Sequence, residues 1–515
     1  MTPTALSKTP HRAAITACVM LATIMQALDM TIANVALPYM QGSLSATMDQ
    51  ISWVLTSYIV ASAIMTPPTG WLVARFGRKR LFIFAVIGFT IASALCGIAT
   101  SLNQMILFRL LQGMFGASMV PLSQSVLLDI YPKEKHGSAM ALWGMGVMVG
   151  PILGPTLGGY LTEYYNWRWV FYINLPVGIL TTVGLWMFLQ ETEKNAKLGF
   201  DWMGFATLSL ALGSLQMMLD RGEQLDWFSS TEVMIEAGLV ILGSYLFLVH
   251  IFTAKKPFIE PQMFNDRNFS MGLVFIFLVG IILLATIALM TPYLQNLMGY
   301  PVLTAGLVLA PRGIGTMVAM MIVGRLINRI DPRIMVFIGF SLVAVSLWMM
   351  TGFTPDISFA HIVHTGLIQG CGLGFVFVPL GTMTFATLEP RYRTQGTALF
   401  SLMRNLGSST GISLVIFLLG RNAQMMHATM AEGITQFNLL FQHGAASKIW
   451  NLNTEAGRMA VNAEISRQAQ IIAYANDFKM MMIIALLALP VIFLLRRPPR
   501  RPPDKNDPAE MAVEA

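Results

Sequence analysis

Charge is scarce in this sequence. Asp, Glu, Lys and Arg make up 11% of its 515 residues, against about 25% in a soluble domain. That excludes an ordinary water-soluble globule. Apolar residues reach 55% and cluster in runs of roughly 20, the length that crosses a bilayer as a helix. Cysteine is scarce too. Cys18, Cys96 and Cys371 all fall inside apolar runs and read as packing residues, so neither a disulfide framework nor a metal site is expected. The pair His361 and His364 lies one turn apart without an acidic neighbour in sequence, which also argues against metal. No phosphate loop ending Gly-Lys-Ser/Thr is present, which argues against direct drive by ATP. Neither a His-Glu-x-x-His helix nor a nucleophile elbow occurs, so no enzyme and no cofactor is expected. A cleavable leader is not evident either. The first apolar run, about 13–36, is long enough to span and lacks a small-residue cleavage site.

What is present is a pattern of fourteen apolar spans. They begin near residues 13, 51, 81, 105, 138, 168, 202, 232, 270, 303, 333, 358, 396 and 478. The net charge of +7 raises the question of a nucleic-acid partner, and its placement answers against one. With the N-terminus inside, most Lys and Arg fall in the cytoplasmic segments, at 75–80, 133–135, 194–197, 255–267, 325–333, 391–393 and the tail. The short outer loops hold only Arg168 and Arg221. This is the positive-inside rule, so the charge reports topology, with both termini cytoplasmic. Spans seven and eight carry the weakest signal, because span seven is short and contains Gln216. If only one of them crossed, the Arg-rich tail after residue 496 would face outward. Both are therefore expected to cross.

The chain repeats itself. Gly116, Pro121, Leu122, Pro132, Lys133 and Lys135 are matched 258 positions on by Gly374, Pro379, Leu380, Pro390, Arg391 and Arg393. Gly70 to Arg78 after span two is echoed by Gly324 to Arg333 after span ten. The expected organisation is an all-α membrane protein of two parallel six-helix bundles, 13–190 and 258–496, with two inserted helices in 191–257. Residues 1–12 are then a cytoplasmic start and 497–515 a disordered, Pro-rich tail. Residues 421–477 are polar and read as one long outer loop, either a docking surface for an outer partner or a passive lid.

Few residues within the spans can carry chemistry. Asp29 lies mid-span, where a carboxylate is costly to ionise, and intramembrane acids of this kind serve proton transfer or pair with a neighbouring helix. Gln26 shares its face. Arg109 opens span four, with Gln112 and Gly113 one turn on. It either tunes Asp29 or snorkels to the interface. Arg312 in span ten either meets a polar or anionic substrate group or pairs with carbonyls. Arg404 and Asn405 take the places that Gly146 and Val147 hold in the first half, so the halves have diverged. Glycines at 146, 150, 154 and 158 line one helix face, which lets two helices approach backbone to backbone. Pro151 and Pro155 loosen the same helix. The 38 methionines suit either an adaptable cavity or ordinary packing.

These residues together resemble a family. Leu28-Asp29 through Asn34 to Pro38, Gly70 to Arg80, Arg109 to Gly116, Gly146 to Gly159, and Trp167 through Asn174 to Gly178 are similar to the motifs of the major facilitator superfamily. Within it they resemble the fourteen-span drug–proton antiporters of the EmrB/QacA type. The stretch Gly213 to Phe228 is especially like the EmrB type of Gram-negative inner membranes. The resemblance implies that Gly150, Pro151, Gly154 and Pro155 mark an antiporter helix. It implies that Asp29 and Arg109 serve proton coupling, and that Gly70, Arg75, Gly77 and Arg78 latch an inner gate. Ala74 departs from the pattern, since an acid is usual there. A substrate cavity would involve Gln26, Asn34, Gln112, Arg312, Arg404 and Asn405. Members of the EmrB type work with a periplasmic adaptor and an outer-membrane channel.

The expected function is proton-driven export of amphipathic compounds from the cytoplasm or inner leaflet. Two rivals stand beside it: a dedicated exporter of one metabolite, lipid or siderophore, and a transporter-like sensor.

Overall fold

The computed structural model describes residues 11–195, 197–327, 329–435 and 450–496. Those residues form helices and no strands. Fourteen spans cross in chain order when one bent pair is taken as a single span. The first half consists of α1 (Arg12–Ser43), α2 (Asp49–Met65 with Thr69–Phe76), α3 (Arg78–Ile98), α4 (Leu102–Ile130), α5 (Lys133–Tyr164) and α6 (Trp169–Phe188). Next come α7 (Trp202–Arg221) and α8 (Thr231–Thr253). The second half holds α9 (Arg267–Leu297), α10 (Thr304–Leu326), α11 (Pro332–Met350), α12 (Phe359–Ala386), α13 (Pro390–Glu432) and α14 (Glu455–Leu494).

The two halves pack alike. In the first, α1 lies on α5 and α6, α2 on α4, and α3 on α4 and α6. In the second, α9 lies on α13 and α14, α10 on α12, and α11 on α12 and α14. Between the halves, α5 runs along α10, while α13 meets α4 and the second segment of α2. The bend of 59° in α2 falls at Pro67 and Pro68, which cannot donate to the preceding turn.

The glycine face on α5 is used in full against α1. A Cβ at Gly150 would overlap the Ala27 carbonyl, and one at Gly154 the Thr31 hydroxyl. Thr31 instead donates to the Gly150 carbonyl at 2.9 Å. Pro151 and Pro155 leave the helix continuous. Close glycine packing does recur in the second half, because Gly407 and Gly411 of α13 abut the backbone of Phe277 and Ile281 on α9. Those glycines sit one position out of the 258-residue register, which conceals the match.

Span seven's Gln216 is buried and donates to Ser409 of α13 at 2.9 Å. Its neighbour Asp220 accepts from Thr56 of α2. So α7 touches both halves, and its polar residues are contacts rather than a weakness of the span. The segment 421–477 differs from a loop. Residues 421–432 continue α13, and 455–477 begin α14. Both stretches lack apolar runs, yet flanking helices propagate cooperatively through polar residues. Positions 436–449, the tail 497–515 and residues 1–10 lie outside the described residues.

Candidate functional site: a buried acid–arginine cluster

The centre of the first half is polar. Arg109 donates to one Asp29 carboxylate oxygen at 2.7 Å. The other oxygen accepts from Gln112 at 2.8 Å and from Asn174 at 2.9 Å. Asp29 and Arg109 are each 1% exposed. An ion pair cut off from water persists only when its remaining donors and acceptors are satisfied, and here they are. Arg109 also donates from Nε to the Val54 carbonyl at 3.1 Å and from Nη1 to the Gln112 side-chain oxygen at 2.8 Å. Its guanidinium lies 4.3 Å from the centre of the Tyr58 ring, an attractive cation–π contact.

Four helices build this cluster. α1 supplies Asp29, α4 supplies Arg109 and Gln112, α2 the Val54 carbonyl and Tyr58, and α6 Asn174. The approach of α4 to α2 requires Gly113, whose Cβ would overlap the Tyr58 carbonyl. Gln26 joins at the edge by donating to Tyr58 Oη at 3.3 Å. Ser93 of α3 holds Asn174 at 2.9 Å. Asn174 is the member of the cluster that the reading of single residues missed. It lies at the boundary of two helical pieces of span six, and only the fold turns it toward α1.

The other polar residues lie apart. Asn34 is exposed on α1. Arg312 is buried on α10, donates to the Leu283 carbonyl at 2.9 Å, and has its second terminal nitrogen without a partner. It borders a small cavity with Thr286 and Gln369. Arg404 is buried on α13, 5.9 Å from the Trp143 ring of α5, with a long contact to Asn405 at 3.4 Å. His361 is exposed and packs on Phe353.

A second cluster closes the end of the molecule that carries the start of α1. Asp129, at the end of α4, accepts from Arg78 of α3 and from Arg393 of α13, the latter at 2.8 Å. A Cβ at Gly70 would lie 2.9 Å from Gln395 Cβ, so the second segment of α2 also touches α13. Gly77 has φ 91°, a conformation suited to glycine, and leaves room for Glu191. That carboxylate accepts from the backbone of Lys79 at 3.0 Å and Arg80 at 3.3 Å, capping the start of α3. Arg75 donates to the Leu198 carbonyl at 3.2 Å. Position 74, where the resemblance implies an acid, is alanine, and Asp129 of α4 brings a negative charge to this cluster.

At the same end, α7, α8, α13 and the segment 259–265 line an open apolar recess of about 550 Å³. Phe247, Ile251, Phe252, Phe264, Leu399 and Leu402 are among its walls.

Residues 19–412 match the model of the Major Facilitator Superfamily. The chain is 36% identical over 482 residues to the multidrug export protein EmrB of Escherichia coli (strain K12), covering 93% of this chain and 94% of that protein. It is 35% identical over 481 residues to the fatty acid resistance protein FarB of Neisseria gonorrhoeae, covering 93% and 95%. Among solved structures, the human organic anion transporter MFSD10 superposes with a TM-score of 0.61 at 14% identity, covering 95% of this chain and 100% of that one. That likeness is one of fold.

Proposed function

The chain belongs to the major facilitator superfamily, and on that premise we propose that it is a proton-driven exporter of amphipathic compounds that works by alternating access. Membership makes it a membrane transporter rather than an enzyme. The carrying observation is the sealed Asp29–Arg109 pair. An acid in mid-membrane that is held by one cation and two amide donors can exchange its charge for a proton when those donors move. Arg109, on α4, is the group whose movement would set that exchange.

In the proposed cycle Asp29 takes a proton from outside as substrate leaves, and closure delivers it inside. One charge crossing 100 mV corresponds to about 2.3 kcal/mol, enough to drive export uphill. Gly146, Gly150, Pro151, Gly154, Pro155 and Gly158 let α5 slide on α1 between states. Gly70, Arg75, Gly77 and Arg78, with Asp129, latch the inner gate. Gln26, Asn34, Gln112, Arg312, Arg404 and Asn405 are assigned to the substrate path. The apolar cavity beside α8 offers an amphipathic compound a recess at the cytoplasmic leaflet. The chain is placed in the bacterial inner membrane with both termini cytoplasmic, which the distribution of Lys and Arg supports. A periplasmic adaptor and outer-membrane channel are proposed partners, and the helical extensions at 421–432 and 455–477 would face them.

The likeness to the multidrug export protein EmrB supports export of varied drugs. FarB favours a second reading, a dedicated exporter of one lipid. Purified protein in liposomes tests the first reading. Internal pH is followed while amphipathic drugs are added, with Asp29→Asn alongside. Substrate-triggered proton movement that the variant loses supports antiport. A wild type that binds drugs without moving protons would overturn it. Many unrelated competitors would mark a drug pump, and a single effective one a dedicated carrier.

A further inference from the structure

Asp477 takes no part in either cluster described above. It sits on α14, 1% exposed, and neither of its carboxyl oxygens has a hydrogen-bond partner. Among the described residues the buried acids are Asp29, Glu236 and Asp477, so the second half holds one. Among the described residues no cation forms an ion pair with it, and Lys479 on its own helix and Arg421 beside Asn422 are both exposed. Tyr474 stands one turn earlier on the same helix, and its ring meets Tyr293 of α9 edge-on at 5.2 Å. From α13 the neutral Asn422 faces it without completing a hydrogen bond. From beyond the end of α11, Phe353 packs on the next residue, Phe478. Among the described residues the titratable side chains packed around Asp477 are thus the phenols of Tyr474 and Tyr293.

Leaving a carboxylate charged in such a place is costly, whereas the neutral acid is far cheaper to bury. Asp29 in the same conformation has a guanidinium and two amide donors to hold its charge. The two acids therefore sit in opposite environments, one built for the anion and one for the acid. A single helix joins the second acid to the inner latch. Arg393 at the start of α13 holds Asp129, and Asn422 on the same unbroken helix, Arg393–Glu432, faces Asp477. Helices transmit axial movement over such lengths because their hydrogen bonds are internal.

We propose that Asp477 is a second proton-binding site, loaded in this conformation and emptied when α13 shifts against α14. The proposal rests on the proton-driven reading for its place in transport, though not for the binding of the proton itself. Infrared titration of the full-length protein in lipid tests it. Glu236 is also buried with both oxygens unpartnered, so the titration is run in a Glu236→Gln background: a protonated-carboxyl band is expected at neutral pH with and without Asp29→Asn, and it is lost when Asp477→Asn is added. In Asp129→Asn, where the latch is weakened, that band should titrate at lower pH. A band unchanged in Asp477→Asn would overturn the proposal. So would a band that Asp477→Asn removes but Asp129→Asn leaves with an unaltered titration, since the proton would then be fixed. Ethidium-driven proton flux in the same liposomes reads the other question. Its absence in the wild type counts against the antiport reading and leaves the infrared result standing.

Discussion

Arg393 of α13 donates to Asp129 of α4 at 2.8 Å across the boundary between the two halves. Arg78 of α3 holds the other oxygen of the same carboxylate. The Asp129 side chain is 33% exposed, so the contact is worth about 1 kcal/mol or less. A small energy suffices for a latch, because it biases an equilibrium between two folded states. Asp129→Asn should raise the population open at this end by roughly fivefold or less, the ratio that about 1 kcal/mol commands. Spin labels at the starts of α3 and α13 would report it as a longer distance. An unchanged distance distribution would remove Asp129 from the gate.

Asp29→Asn keeps the size of the side chain and removes its charge. Arg109 is then left buried without an anion, a loss of about 3–5 kcal/mol for broken buried pairs. Insertion into the membrane should persist while proton-coupled export disappears. Growth on toxic compounds at matched expression checks this, and full resistance in the variant would exclude Asp29 from coupling.

Arg109→Lys keeps the charge and loses the fork. Lysine cannot reach the Val54 carbonyl and Asp29 in one planar arrangement, nor stack on Tyr58 as a flat group. A lost charge-assisted hydrogen bond costs about 1.5–3 kcal/mol. Export should fall sharply and the melting temperature in detergent should drop. A variant with wild-type transport would show that charge alone is needed.

Two glycines on α5 provide a paired test. A Cβ at Gly150 would overlap backbone of α1, which cannot turn aside, whereas nothing lies within 4 Å of a Cβ at Gly159. Gly150→Ala should destabilise by about 1–3 kcal/mol, typical of overpacking, and impair export. Gly159→Ala should leave both unchanged. Equal melting temperatures for the two variants would show that the α1–α5 contact tolerates separation.

Much of this was legible before any coordinates. Lipid forces each spanning segment to satisfy its own backbone, so span length and number follow from apolar runs. Asp29, Arg109 and Gln112 stood out because polar atoms in such runs are costly. Their meeting was not visible, since 80 residues separate Asp29 from Arg109. Asn174 escaped because an asparagine between two short helices looks like a cap. Asp129 escaped because it ends a span, where acids are common. Asp477 escaped because it borders a polar stretch that reads as a loop, and only the continuation of α14 places it in a packed interior.

By itself the sequence determined the class of protein, the spans, the duplicated halves and the few polar groups within them. Those properties are local, because the bilayer imposes the same rule on every segment. Only the tertiary structure decided which helices meet at Asp29, which acid joins Arg78 to Arg393, and which acid is left alone in α14. Those properties depend on contacts between residues far apart in the chain, and no periodicity of one helix records the partner of another.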